Sequence, residues 1–194
     1  RLSMPHSGAE TGELTATAYY NRVDDYILTD KISDGAGNTA TGYRNVDAVL
    51  FGGELKAARR LAGHWHGRAS AAYVHGTNVS DSDPLPQVPP LEGSAGLDYR
   101  RAVWEAGAEV RMVDDQHRVD LASGQDAQRT PGYAVVNLRA AVRPGAGVTL
   151  RLGVDNLLDR TYAEHINRKD STTGDAILVN EPGRSVWARV SGAF

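Results

Sequence analysis

From Trp104 to Met112 every second residue is apolar. Trp104, Ala106, Ala108, Val110 and Met112 alternate with Glu105, Gly107, Glu109 and Arg111. A period of two places successive side chains on opposite faces of a strand. A slip of one residue would exchange the faces wholesale, so such a pattern holds the strand in one register. The three-and-four spacing of a helix recurs nowhere in the chain. Alternation returns from Glu13 to about Val23, Tyr43 to about Arg60, His64 to about His75, Ser94 to Arg100, Tyr133 to Val142, Val148 to Leu157 and Ser185 to Phe194. These segments predict an all-β fold, an antiparallel meander of about eight strands.

The connections carry the next constraint. Asp30 to Gly42, Gly76 to Pro90, Asp114 to Pro131 and the polar stretch ahead of Arg184 read as long loops, with Asp34-Gly35-Ala36-Gly37-Asn38 as a turn-rich tip. Leu61-Ala62-Gly63, Arg100-Arg101-Ala102 and Pro144-Gly145-Ala146-Gly147 read as tight turns, and Arg1 to Gly12 as an irregular lead-in. Long and short connections therefore alternate, as in an outer-membrane barrel with short periplasmic turns and long outer loops. A last strand ending on Phe194 leaves an edge that closure of a barrel would remove.

Alternation alone does not say which face is inside. A soluble ligand-binding barrel shows the same pattern, and a passive porin-like channel shares the membrane one. Two features favour the membrane. Much of the apolar face is Ala or Gly, which would underfill a small closed core. Its aromatics (Trp65, Tyr73, Tyr99, Trp104 and Phe194) sit near strand ends, where interfacial girdles lie. Trp187 breaks the pattern, since its parity puts it on the polar face. Gly107, also on that face, is expected to accept a serine.

A net charge of -3 gives no electrostatic case for nucleic acid, and the absence of Cys removes disulfides and thiolate metal sites. No apolar run approaches the roughly 18 residues of a spanning helix, which leaves barrel strands open. No Ser/His/Asp set, Gly-rich phosphate loop or basic aromatic face appears, so the chain does not read as an enzyme or as a holder of a cofactor. His64 and His66 share a strand face beside a tight turn, but a pair lacks the third ligand a metal site needs. Glu164, His165 and Asn167, in the last long loop near Asp170, are the ligand-binding candidates. Arg68, Asp98, Arg100, Glu105, Glu109, Arg111, Arg139 and Arg151 share the polar faces, either along a substrate path or as cross-strand charge pairs.

The string Val154-Asp155-Asn156-Leu157-Leu158-Asp159-Arg160-Thr161-Tyr162, followed by Glu181-Pro182-Gly183-Arg184 and a strand ending in Phe194, resembles the C-terminal end of TonB-dependent outer-membrane receptors. Gly52-Gly53-Glu54-Leu55, Leu85-Pro86-Gln87-Val88-Pro89-Pro90 and Thr130-Pro131-Gly132-Tyr133 fit the same family in order, so the resemblance covers nearly the whole chain. It implies that residues 1–194 are the C-terminal part of a larger barrel in a Gram-negative outer membrane, with the plug domain and earlier strands absent. It implies active uptake of a scarce metal or metal chelate (siderophore, copper, haem or cobalamin), energised by the TonB complex through the plug. Tyr162 to Arg168 with Val179 to Arg184 looks most like the copper receptors. Outer-membrane lipid and the barrel-assembly machinery would be further partners, and Phe194 resembles the aromatic mark that this machinery reads.

Overall fold

The computed structural model describes residues 2–3, 12–33, 35–36, 38–145, 147–166 and 176–192. Ten strands form one antiparallel sheet: β1 (Leu2–Ser3), β2 (Glu13–Ser33), β3 (Thr39–Arg60), β4 (Trp65–Asn78), β5 (Asp83–Pro84), β6 (Glu92–Arg100), β7 (Trp104–Val113), β8 (Tyr133–Gly145), β9 (Val148–Asp155) and β10 (Ser185–Ser191). Each long strand pairs with its neighbour in sequence, and the two-residue β5 pairs beside the path, on β4. No helix occurs among the described residues. The meander read from the sequence is therefore the architecture. β1 gives the expected lead-in a short pairing, Leu2 with Ala16 and Ser3 with Thr15.

One expected loop is a strand. Asp30 to Gly42 is not irregular: β2 and β3 stay paired out to Ser33 and Thr39. A bulge explains why the pattern hid this. Pairing jumps from Val23–Ala48 to Tyr26–Val46, with Asp25 at φ 57°, so parity changes partway along β2. Beyond it, Leu28, Val46 and Ala48 bury themselves against Leu85 from the following loop, with Tyr26, Leu50 and Val88 packed around. Arg44 joins Asp30 (Nε–Oδ2, 2.6 Å) to Asp81, which ties the arm to the β4–β5 connection. These contacts give the polar arm the partners that local composition does not display.

The apolar face predicted by parity is exposed. Tyr20, Leu55, Leu97, Leu138, Leu152, Val186 and Val190 all stand on it with large free areas. Toward the short turns it carries Tyr99 in contact with both Trp65 and Trp104; toward the long loops Phe51 stacks on His75 with centroids 4.6 Å apart. Trp65 and His75 stand about ten residues apart on β4. At about 3.3 Å per residue and a tilt of about 40°, this is about 25 Å of height, the apolar band of an outer-membrane barrel. Phe194, expected to complete the girdle, lies outside the described residues.

Candidate functional site

The opposite face of the same strands is a lattice of charge. Cross-strand pairing aligns His66, Asp98, Gly107, Arg139, Gly153 and Trp187 in one row, and Arg68, Gly96 and Glu109 in the next. Asp98 is the hub, almost wholly buried. Its Oδ2 accepts from Arg68 Nη1 (2.9 Å) and Arg100 Nη2 (3.4 Å), and its Oδ1 from Arg139 Nη2 (2.6 Å). Arg68 also holds Glu109 through Nε (3.1 Å) and Nη2 (2.7 Å), while Arg143 Nη2 reaches Glu105 Oε2 (3.2 Å). Of the two readings open for these charges, pairing with neighbouring carboxylates is what the geometry displays for all but Arg151, whose Nη1 donates to Ser191 Oγ (3.2 Å).

The small residues on this face are part of the lattice. The Asp98 carboxylate sits where a side chain at Gly107 would project, which speaks against the expectation that Gly107 accepts a serine. Likewise the Trp187 indole lies across Gly153 and donates from Nε1 to Asp155 Oδ2 (3.0 Å). Its polar-face parity is genuine. The missing side chain at position 153 makes room for the ring, and the carboxylate satisfies its N–H.

Higher on the wall, Arg111 gathers Glu92, Tyr133 and Glu164. Nη2 donates to Glu92 Oε2 (2.7 Å); Nη1 donates to Glu164 Oε1 (2.6 Å) and to the Tyr133 hydroxyl (3.0 Å). The Tyr133 and Tyr162 rings pack with centroids 4.2 Å apart. The first part of the last long connection thus folds back onto the inner wall. Burial works against the Glu164 charge, but hydrogen bonds from Arg111 and Tyr133 outweigh it and hold the carboxyl below its ordinary range.

His165 is buried one residue further on, with Thr130 Oγ1 3.1 Å from its Nδ1. Its Nε2 points toward Asp126 Oδ1 at 3.6 Å, too long for a hydrogen bond, and has no other partner among the described residues. Asp126 is fully enclosed. It accepts from Gln87 N (2.9 Å), Gln87 Nε2 (3.0 Å) and Asp120 N (2.8 Å). Burial pushes the His165 imidazolium down, against the pull of the Asp126 charge. This node joins the β5–β6, β7–β8 and β9–β10 connections. Gln87 and Asp126 were missed from the sequence because their role depends on a meeting of three loops far apart in the chain.

The string that carried the resemblance also has a structural account. Asn156, at φ 52°, accepts from Arg160 N and donates to Arg160 O, both at 2.8 Å. Asp159, at φ 54°, accepts from Arg184 N (2.8 Å) and occupies the space beside Gly183. Asn and Asp tolerate the left-handed conformation these turns need. They bring the returning chain to the start of β10.

Of the three candidates in that loop, Glu164 and His165 stand close together with the partners given, and Asn167 lies outside the described residues. His64 and His66 are exposed or half-exposed at the short-turn end, His66 Nδ1 lying 3.1 Å from His64 O. Among the described residues no three of His, Asp and Glu gather as a metal centre would require.

Comparison with known proteins bears on this wall directly. Residues 7–157 match the family described as TonB dependent receptor-like, beta-barrel. The chain belongs to the TonB-dependent receptor family. It is an outer-membrane β-barrel family of Gram-negative bacteria, made of receptors and transporters rather than enzymes. Among solved structures, the copper transporter OprC superposes with a TM-score of 0.86 and 38% identity, covering 99% of this chain and 30% of that one. The ferric enterobactin receptor PfeA of Pseudomonas aeruginosa superposes with a TM-score of 0.69 at 23% identity, over 99% of this chain and 30% of that one, a likeness of fold alone. Among curated relatives, the metal-pseudopaline receptor CntO of Pseudomonas aeruginosa is 29% identical over 157 residues, 78% of this chain and 22% of its own length. TonB-dependent heme receptor A of Haemophilus influenzae is 25% identical over 190 residues, 84% of this chain and 25% of its own. The chain spans about a quarter of the curated relatives it matches.

Proposed function

We propose that this chain is the C-terminal wall of an outer-membrane receptor that takes up a scarce metal or metal chelate. Energy reaches it from the TonB complex through a plug domain elsewhere in the protein, and it carries no catalytic activity. Copper is the first metal to test. The observation that carries this choice is the 38% identity to the copper transporter OprC over 99% of the chain. The metal-pseudopaline and haem receptors widen the ligand class to other metal complexes. The wall supports the receptor part of the reading: an open sheet, apolar outside and charged inside, suits one arc of a larger barrel.

The ligand would meet this arc at its loop end, where Glu164 and His165 hold the last connection over the wall and where Asn167 follows. Outer-membrane lipid covers the apolar face. The barrel-assembly machinery would read the last strand, with Phe194 as its mark; deletion of Phe194 should lower receptor abundance in isolated outer membranes far more than Asp placed at Ser82.

The deciding experiment expresses the full-length receptor in a Gram-negative host at limiting copper and measures cell-associated copper, with and without a working TonB complex. A severalfold gain that disappears without TonB is expected. No TonB-dependent gain in copper, together with rescue of growth on haem, would move the assignment to the haem class.

A further inference from the structure

Three tight turns mark the short-turn end, and their arginines differ in what they hold. Arg100 Nη2 turns inward to Asp98 and Arg143 Nη2 to Glu105. Arg101 turns outward. Its guanidinium carbon lies 5.9 Å from the centre of the Tyr99 ring, and its Nε donates to the Tyr99 hydroxyl (3.2 Å). Trp104 stacks on the same ring at 5.3 Å, Trp65 meets it edge-on at 4.9 Å and His64 at 5.6 Å. The bond from Arg101 N to Trp104 O (2.8 Å) fixes the turn that presents this group. Arg101 Nη1 and Nη2 make no hydrogen bond or ion pair to another described residue. Exposed Leu97 continues the face toward the middle of the wall, and exposed Val142 stands beside Trp104.

A fixed, outward guanidinium with two free nitrogens, braced by aromatic rings above an apolar bed, matches one kind of occupant. The free edge offers a planar fork to a phosphate, the rings suit the boundary between headgroup and hydrocarbon, and the bed suits acyl chains. We propose that Arg101, with Tyr99 and Trp104, binds the headgroup phosphate of an anionic glycerophospholipid in the leaflet at the short-turn end. The proposal rests on the membrane-facing reading of this surface and adds a specific lipid position to it.

The test uses the full-length receptor in mild detergent, offered equal amounts of phosphatidylglycerol and phosphatidylcholine with the same acyl chains, and lipid A. Retained lipid is read by native mass spectrometry. Phosphatidylglycerol should exceed phosphatidylcholine severalfold, Arg101→Gln should abolish that excess, and Arg101→Lys should keep part of it. Arg22→Gln, on the same face toward the other end, should leave it unchanged. Equal retention of the two phospholipids by the parent overturns the proposal without any variant. So does a preference that survives Arg101→Gln, or lipid A held in place of phosphatidylglycerol. Insertion of the parent into vesicles, scored separately, shows whether the membrane reading stands when the lipid site does not.

Discussion

Along β7 the residues alternate between two environments. Ala108 and Met112 stand exposed on the outer face, whereas Glu109 and Arg111, one step away, are held in ion pairs on the inner face. Across the sheet the contrast is sharper: Leu152 is 59% exposed and Val186 78%, while Asp98 is 4% exposed. A soluble protein does the reverse, burying leucine and leaving aspartate in water. The difference teaches what supplies stability on each side. Outside, small and aliphatic side chains suit the hydrocarbon that the proposed membrane position places against them. Inside, each buried charge is supported only by the partners around it.

The lattice should show this dependence most strongly. Asp98→Ala leaves the guanidinium groups of Arg68, Arg100 and Arg139 facing one another without their shared acceptor. Loss of a buried charged partner costs about 3–5 kcal/mol, and the low end is expected here because Arg100 and Arg139 stay about half exposed to screening solvent; denaturant titration of the full-length receptor refolded in vesicles reads it. A cost below about 1 kcal/mol, the range of an exposed pair, would make the inner lattice ordinary wet surface. On the other face, Ala108→Arg should cost about 2–4 kcal/mol in the same titration, because it places a cation against lipid at mid-strand. A neutral result there would remove the hydrocarbon from the outer side.

Gly107→Ser lies next door and separates shape from polarity. Serine suits a polar face, but here it displaces the Asp98 carboxylate, so about 1–3 kcal/mol is expected as an overpacking cost. Asp98→Ala in the same chain should relieve part of it, which a double-mutant cycle measures.

That glycine also shows where sequence reading ends. Parity fixed the face of nearly every strand residue, because the period of two is a local property of the chain. The order of the meander followed from the alternation of long and short connections, with Gly or Pro marking two of the three tight turns. Whether Gly107 is a vacancy or a mould depends on Asp98 of the adjacent strand, and Trp187 is intelligible only once Gly153 lies beneath it. The arm beyond Asp30 was hidden by one bulge at Asp25. In the candidate site, the loop carrying Glu164 and His165 was visible, but their partners Arg111, Thr130 and Asp126 come from other strands and connections, with no signal along the chain to announce them.

The smallest effect is local and depends on pH. The folded value of His165 lies below the ordinary histidine value of about 6.5. Its contribution to stability is therefore full above that value and falls as pH drops from there toward the folded one. The folded value of Glu164 is likewise below its ordinary range, so its share is lost at lower pH still, as pH falls through that folded value. Corrected for the intrinsic rate at each pH, the protection of residues 157–166 against hydrogen exchange in the full-length receptor should fall between pH 7 and pH 5 while that of the strands holds. His165→Phe should flatten the first part of that response. Equal protection of the loop at both pH values would detach the node from titration.

Ser94 and Ala95 allow the most direct test, since they are neighbours on β6 with opposite assignments. Ser94 shares a hydrogen bond with Ser70 across the inner wall (2.9 Å), and Ala95 lies in the outer row with Ala69 and Val110. In a full-length receptor freed of other cysteines, Ser94→Cys and Ala95→Cys would each carry a nitroxide in lipid vesicles. Collisions with lipid-soluble oxygen and with a water-soluble nickel chelate are then measured at both. The account predicts that the label at 95 meets oxygen far more than nickel and that the label at 94 does not; nickel dominant at 95, or oxygen dominant at 94, would contradict it.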